Sequence, residues 1–160
     1  MIAYKKASID DVETLSAMRV AMLCEEGYAD PDFQETLFQN TSEYLRKGLS
    51  DSSIDLWVAA ADDAIIAMCC LNYFWLPPNE LCLNGKSAHL GNMYTLPEYR
   101  RQGIASKLLE LAAAEAKSNQ CERLLLVPTE QGAPLYEKFG FQPWFNAMVF
   151  FPTRKEQPHA

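Results

Sequence analysis

The sequence carries little that would mark a metalloprotein, a nucleotide-hydrolysing loop or a membrane protein. Its 160 residues include two histidines and five cysteines. No CxxC pair occurs among them, so neither a zinc site nor a disulfide framework is suggested, and no metal is expected. Cys69 and Cys70 fall in an apolar run and read as packing residues, with a catalytic thiol as the alternative. GxGxxG is absent and no GK[ST] follows a glycine turn, which excludes a dinucleotide fingerprint and a Walker loop. No stretch approaches the roughly 18 consecutive apolar residues of a membrane span. Lys5 and Lys6 are followed by Asp10, Asp11 and Glu13 rather than by an apolar segment, unlike a signal peptide, so a cytoplasmic location is expected. Positive charge is also scarce: 14 Lys and Arg stand against 21 Asp and Glu, a net charge of −7. Such a chain is poorly suited to neutralising nucleic-acid phosphates and better suited to cationic partners.

What is present fits one domain, placed at 1–152, with a polar tail at 153–160. Repeats and internal linkers are absent. Ile2 to Ala7 reads as a strand. Ser8 then reads as a helix N-cap with Asp10 and Asp11 in the first turn, and Val12, Leu15, Met18 and Met22 follow at helical spacing. After the turn Asp30-Pro31-Asp32, a second helix is expected from about Phe33 to Leu49, with Leu37, Tyr44 and Leu45 on one face. Ile54 to Ala61 and Ala64 to Trp75 flank Asp62-Asp63 as a hairpin. A fourth strand runs from about Ser87 to Thr95. Gly103 to Ser118 is helical through Ile104, Leu108, Leu111 and Ala112, with Glu115 fading the buried face. A strand at Arg123 to Val127, a helix from Gly132 to Phe139 capped by Gly140, and strands at Phe141 to Trp144 and Ala147 to Phe151 complete the order. The expectation is an α/β chain: a mixed central sheet of about seven strands flanked by about four helices, with an antiparallel meander first and a βαβ-like unit after it. The aromatic C-terminal strands offer an edge for a homodimer.

The segment Tyr99-Arg100-Arg101-Gln102-Gly103-Ile104-Ala105-Ser106-Lys107 joins a strand to a helix. A helix N-terminus presents unpartnered N–H groups and a partial positive charge, and so binds phosphate. Gly103 removes a side chain where an anion must approach the backbone. Arg100, Arg101 and Lys107 concentrate cations between Pro97 and Lys107, where the one acid is Glu98. On the turn alone, a surface loop with solvated arginines is the alternative.

Arg100-x-x-Gly103-x-Ala105, in the context LPEYRRQGIASKLLELA, resembles the signature of the GNAT superfamily of acyl-CoA-dependent N-acyltransferases. Leu135-Tyr136-Glu137-Lys138-Phe139-Gly140-Phe141 independently resembles that family's LYEKLGF segment, in the right order and at a fitting distance. The resemblance extends from about Leu90 to Phe141. It implies a GNAT-like fold and transfer of an acetyl group from acetyl-CoA to a primary amine, with a small molecule or a peptide N-terminus as acceptor. It implies that Arg100, Arg101, Gln102, Gly103, Ile104, Ala105 and Ser106 surround the coenzyme pyrophosphate. It implies too that the backbone of Met93, Tyr94 and Thr95 pairs with the pantetheine arm as an added strand. Thr129 stands where many members carry an asparagine that bonds pantetheine. Tyr136 matches the tyrosine that faces the coenzyme sulfur, and a phenol can donate to a developing thiolate. His89, eleven residues before Arg100, stands where several members carry a Glu or His base, and an imidazole suits that task. No nucleophile is evident, so direct transfer in a ternary complex is implied.

Two alternatives remain open from the residues: a non-catalytic acyl-CoA-binding sensor or partner-binding module, and an enzyme for a longer acyl chain. Glu25, Glu26, Asp30, Asp32 and Glu35 form an acidic run that reads either as a rim for a cationic amine or as a solvated loop with helix-start carboxylates. Tyr73, Phe74 and Trp75 read either as an aromatic wall of the acceptor pocket or as strand packing.

Overall fold

The computed structural model describes residues 1–144 and 152. The chain forms two compact units, Met1–Val127 and Pro128–Ala160.

In the first unit, strand β1 (Ile2–Lys6) leads into a short 3₁₀ turn at Ile9–Asp11. Ser8 and Asp11 form a capping box there: the Ser8 hydroxyl accepts from the Asp10 N–H, and Asp11 accepts from the Ser8 N–H at 2.8 Å. Helix α1 therefore starts later than Ser8 implies, at Val12, and runs to Glu25. Its expected stripe of Val12, Leu15, Met18 and Met22 is buried. Helix α2 (Gln34–Asp51) buries Ser42, Leu45 and Gly48, while Tyr44 lies on the rim. Leu45 is buried as expected, and the small residues Ser42 and Gly48 join it because the helix packs closely. Ser42 Oγ donates to Ser16 Oγ of α1 at 2.9 Å, and a Cβ added to Gly48 would meet the Ile54 side chain at 2.7 Å.

Strands β2 (Ile54–Ala61), β3 (Ala64–Trp75) and β4 (Lys86–Thr95) continue an antiparallel meander from β1. Helix α3 (Ile104–Ser118) then crosses to β5 (Arg123–Leu125), which pairs with β4 in parallel. The described sheet thus has five strands in the order β1-β2-β3-β4-β5.

Period-2 alternation divides the sheet into two faces. Ile54, Leu56, Val58, Met68, Cys70 and Tyr94 form a core with Val12, Leu15, Met18 and Met22 of α1 and Leu45 of α2. The opposite face meets α3 through Leu108, whose carbonyl lies 3.9 Å from the Cys69 thiol. The buried face of α3 does not fade at Glu115. It continues through Ala116, and Glu115 pairs with Lys6 of β1 at 2.8 Å. Lys6 also pairs with Asp55 at 3.0 Å, and Asp55 accepts from the Tyr73 hydroxyl at 2.6 Å. Tyr73 is thus committed to the α3 face, whereas Trp75 is exposed at the strand's end.

In the second unit, helix α4 (Ala133–Phe139) ends at Gly140 in the left-handed conformation, as its position suggests. Phe141–Trp144, expected as a strand, carries no strand among the described residues, and its expected partner Ala147–Phe151 and the tail lie outside them. Among the described residues no helix is long and apolar enough to cross a membrane.

Candidate acyl-transfer site

β4 carries one residue more than β3 can match. Met68 pairs with Tyr94 and Cys70 with Gly91, so two steps along β3 correspond to three along β4. The extra residue is absorbed at Asn92, whose φ of 52° is left-handed. This is a β-bulge, which leaves backbone groups out of the ladder. On the other edge, pairing with β5 stops at His89↔Leu125. β5 is therefore shorter than the apolar run to Val127 suggests: beyond Leu125 it loses its partner, and Val127 is exposed. From Leu90 to Thr95, no strand among the described residues pairs with that edge of β4. An open strand edge is a template for an extended ligand.

Met93, Tyr94 and Thr95 lie on this open stretch. Met93 is half-buried, while Tyr94 and Thr95 are buried. Thr95 Oγ1 has no hydrogen-bond partner among the described residues. The Tyr94 ring enters the α1–α2 core, and its hydroxyl donates to Glu25 at the end of α1. Burial and the Glu25 carboxylate push the Tyr94 phenol up to about 12.

Arg100 is held by the same group. Its Nη2 donates to Glu25 Oε2 at 2.6 Å, its Nε donates to the Thr95 carbonyl at 2.9 Å, and its guanidinium lies over the Tyr94 ring at 5.5 Å. Glu25 is held below the usual carboxylate range by the bonds from Tyr94 and Arg100. Arg100 thus fastens the start of the turn to α1 and β4. Arg101 is the cation left exposed there, and no ion pair among the described residues includes it. Lys107 pairs with Glu110 at 3.0 Å.

The turn itself has two left-handed residues, Arg101 at φ 60° and Gly103 at φ 79°, on either side of Gln102. Gly103 is the N-cap of α3. The ladder of α3 begins with the Lys107 N–H donating to the Gly103 carbonyl at 3.1 Å. The N–H groups of Ile104, Ala105 and Ser106 precede that bond and are the helix's orphan donors. Arg101, Gln102, Gly103 and Ser106 are exposed, Ala105 is half-buried, and the Ile104 side chain is buried beneath. Apart from its own chain neighbours, nothing lies within 4 Å of the position a Gly103 Cβ would take. Orphan donors at a positive helix end, beside a glycine whose Cβ position is open, suit a phosphate or pyrophosphate.

His89 is half-buried and faces the α1–α2 side, opposite Asn72 in register. Its Cε1 and Nδ1 would lie 3.5 and 3.6 Å from a Cβ at Gly91, so the imidazole leans along the strand towards the bulge. Desolvation lowers its pKa from the ordinary value of 6.5, which keeps the ring neutral at pH 7. Cys69 and Cys70 are fully buried, and burial raises each thiol to about 12, so neither is a nucleophile at neutral pH.

Within the second unit, Thr129 organises the start of α4. Its Oγ1 accepts from the Gly132 N–H at 3.1 Å, and its carbonyl accepts from Gly132 and Ala133 at 3.0 and 2.9 Å. Tyr136 is half-buried and packs edge-on against Phe141, with centroids 5.8 Å apart.

The sequence profile of the Acetyltransferase (GNAT) family matches residues 16–141. The chain belongs to this family. Two solved structures agree along nearly their whole length. One is a predicted acetyltransferase with acetyl-CoA from Clostridium acetobutylicum, 29% identical, with a TM-score of 0.85 over 94% of this chain and 96% of that one. The other is a GCN5-related N-acetyltransferase from Ralstonia eutropha, 28% identical, with a TM-score of 0.86 over 94% of this chain and 99% of that one. A glucosamine-6-phosphate N-acetyltransferase from Arabidopsis thaliana, 17% identical with a TM-score of 0.70 over 95% and 99% of the two chains, shares the fold alone. No curated protein matches the chain. As a GNAT acetyltransferase the chain is an acyl-CoA-dependent acyltransferase by family, with a five-stranded mixed sheet and four helices among its described residues.

Three features of the site escape the motif reading. The bulge had a signal in Gly91-Asn92, since glycine inside a strand marks bulges and asparagine tolerates the left-handed region. The joint use of Glu25 by Tyr94 and Arg100 had none, because the partners are 69 and 75 residues from it in sequence. The acidic run resolves differently at each member: Asp30 caps a turn by accepting from the Asp32 N–H at 3.0 Å, while Glu25 is taken by Tyr94 and Arg100.

Gly103→Glu places a carboxylate in the open space before the orphan donors. It is expected to lower coenzyme A affinity by about a hundredfold or more, and, because residue 103 sits at a left-handed φ of 79°, to lower the melting temperature of the free protein as well. Thermal shift with coenzyme A checks this, and an unchanged shift would remove the turn from the binding site.

Proposed function

We propose that this chain is an N-acetyltransferase that moves the acetyl group of acetyl-CoA onto a primary amine by direct transfer in a ternary complex. The observation that carries the reading is the pairing of two features in one unit: an open stretch of β4 with a bulge, and a helix N-terminus with empty space before Gly103. The Clostridium acetobutylicum structure, which holds acetyl-CoA, supports the choice of donor. The family match at residues 16–141 runs through both compact units, which supports reading 1–152 as one catalytic domain.

The coenzyme supplies an activated thioester carbonyl. The turn from Arg101 to Ser106 would hold the pyrophosphate through backbone N–H groups, with Arg101 adding charge. The backbone of Met93, Tyr94 and Thr95 would bind the pantetheine arm as an added strand. Thr129 would contribute through its O–H, since its oxygen already accepts from Gly132. Backbone N–H groups freed at the Asn92 bulge would stabilise negative charge developing on the carbonyl oxygen. His89, neutral at pH 7, would take a proton from the attacking amine. Tyr136 would give a proton to the departing thiolate.

Release of free thiol during turnover with a panel of amines tests the reading. Tyr136→Phe should lower kcat by roughly tenfold to a hundredfold with coenzyme affinity nearly intact. Full retained turnover would remove Tyr136 from the mechanism. An enzyme that binds acetyl-CoA and acetylates no amine would instead be a sensor.

His89 acts as a base only when unprotonated. Because its pKa is lowered, activity should fall as pH drops through a value below 6.5, and His89→Gln should abolish that limb. An unaltered limb in His89→Gln would assign the proton to another group.

A further inference from the structure

Arg19 occupies an unusual place. It lies on the buried side of α1, four residues after Leu15 and three before Met22, both of them core residues. The side chain is half-buried, and none of the ion pairs among the described residues includes it. Its neighbours are the Tyr44 phenol of α2 and the Cys70 thiol of β3, with Glu26 the acid acting on it. Desolvation outweighs that acid and lowers the guanidinium's pKa, although arginine stays charged at any ordinary pH. Arg19 is therefore a half-buried cation on an apolar stripe with no carboxylate at ion-pair distance among the described residues, open to pairing with an incoming anion.

The sheet register fixes where this cation sits. Tyr44 lies against Cys70, and Cys70 is the register partner of Gly91, next to the Asn92 bulge. One step along the same face, Asn72 stands opposite His89 and donates to its carbonyl at 3.4 Å. Asn72 and His89 therefore share with Cys70 the face of the sheet that α1 and α2 cover, and Arg19 and Tyr44 of those helices act on Cys70.

We propose that Arg19 binds a carboxylate of the acceptor, so that the substrate is an amine that also carries a carboxylate, such as an amino acid. This rests on the acetyltransferase reading of the bulge. The planar guanidinium matches a carboxylate with two parallel hydrogen bonds. The Tyr44 phenol, hydrogen-bonded to the Cys70 thiol, is neutral and adds no competing negative charge beside the guanidinium. A phosphate, with close to two negative charges, would call for more than one cation on this face. A diamine is disfavoured because Glu25, the acid that meets β4 at Tyr94, is already taken by Tyr94 and Arg100.

The test uses the full chain saturated with coenzyme A, so that binding is read without turnover. The common L-amino acids are titrated beside their carboxamides and decarboxylated amines. At least one amino acid should bind, about tenfold or more tighter than its carboxamide. Arg19→Gln should bring the pair within about twofold, and Arg19→Lys should keep part of the preference. Equal binding of acid and amide, preference retained in Arg19→Gln, or no amino acid bound would each overturn the proposal. Those outcomes leave the acetyltransferase reading standing if coenzyme A binds and some other amine is acetylated; failure to bind coenzyme A removes both. A coenzyme A titration of each variant shows that it is folded.

Discussion

The backbone of β4 beyond His89 sets the terms for everything around it. Buried N–H and C=O groups must find partners, and a strand normally finds them in two neighbours. Here β3 satisfies one edge with a break at Asn92, and β5 leaves the other edge after Leu125. The sheet thereby keeps a gap in its own hydrogen bonding. The position of that gap dictates which side chains matter: Gly91 and Asn92 make it, His89 leans towards it, and Tyr94 and Thr95 continue it to the turn.

The gap is tied to the helix N-terminus through Glu25. A carboxylate that accepts from both Tyr94 and Arg100 links the end of α1, the end of β4 and the start of the turn before α3. Arg100, although part of the signature, thus works as a fastener, and Arg101 and the orphan N–H groups are left to face an anion. In a chain of net charge −7, this separation of roles leaves Arg101, an arginine in no ion pair among the described residues, beside the positive end of α3.

Much of the architecture could be read from periodicity. The α1 stripe, the β2–β3 hairpin around Asp62-Asp63 and the span of α3 follow from spacing that a regular element imposes on its buried face. What could not be read depends on packing between elements. Tyr44 looked like a core residue by spacing, yet Ser42 and Gly48 are what allow α2 to approach α1 and β2. Glu115 looked like the fading of a face, and its partner Lys6 lies on a strand far away in sequence. β5 ends early because its partner diverges, which no property of Leu126 or Val127 foretells. Within the site, Gly103 was legible because an anion approaching the backbone needs a position without a side chain, whereas the engagement of Arg100 and the placing of Arg19 emerge only from the fold.

The central claim is that the Gly103 turn and the open edge of β4 together hold an acyl-coenzyme A. Calorimetric titration of the purified protein with acetyl-CoA tests it most directly. The account predicts saturable binding at one site per chain, and absence of binding in a protein shown to be folded would contradict it.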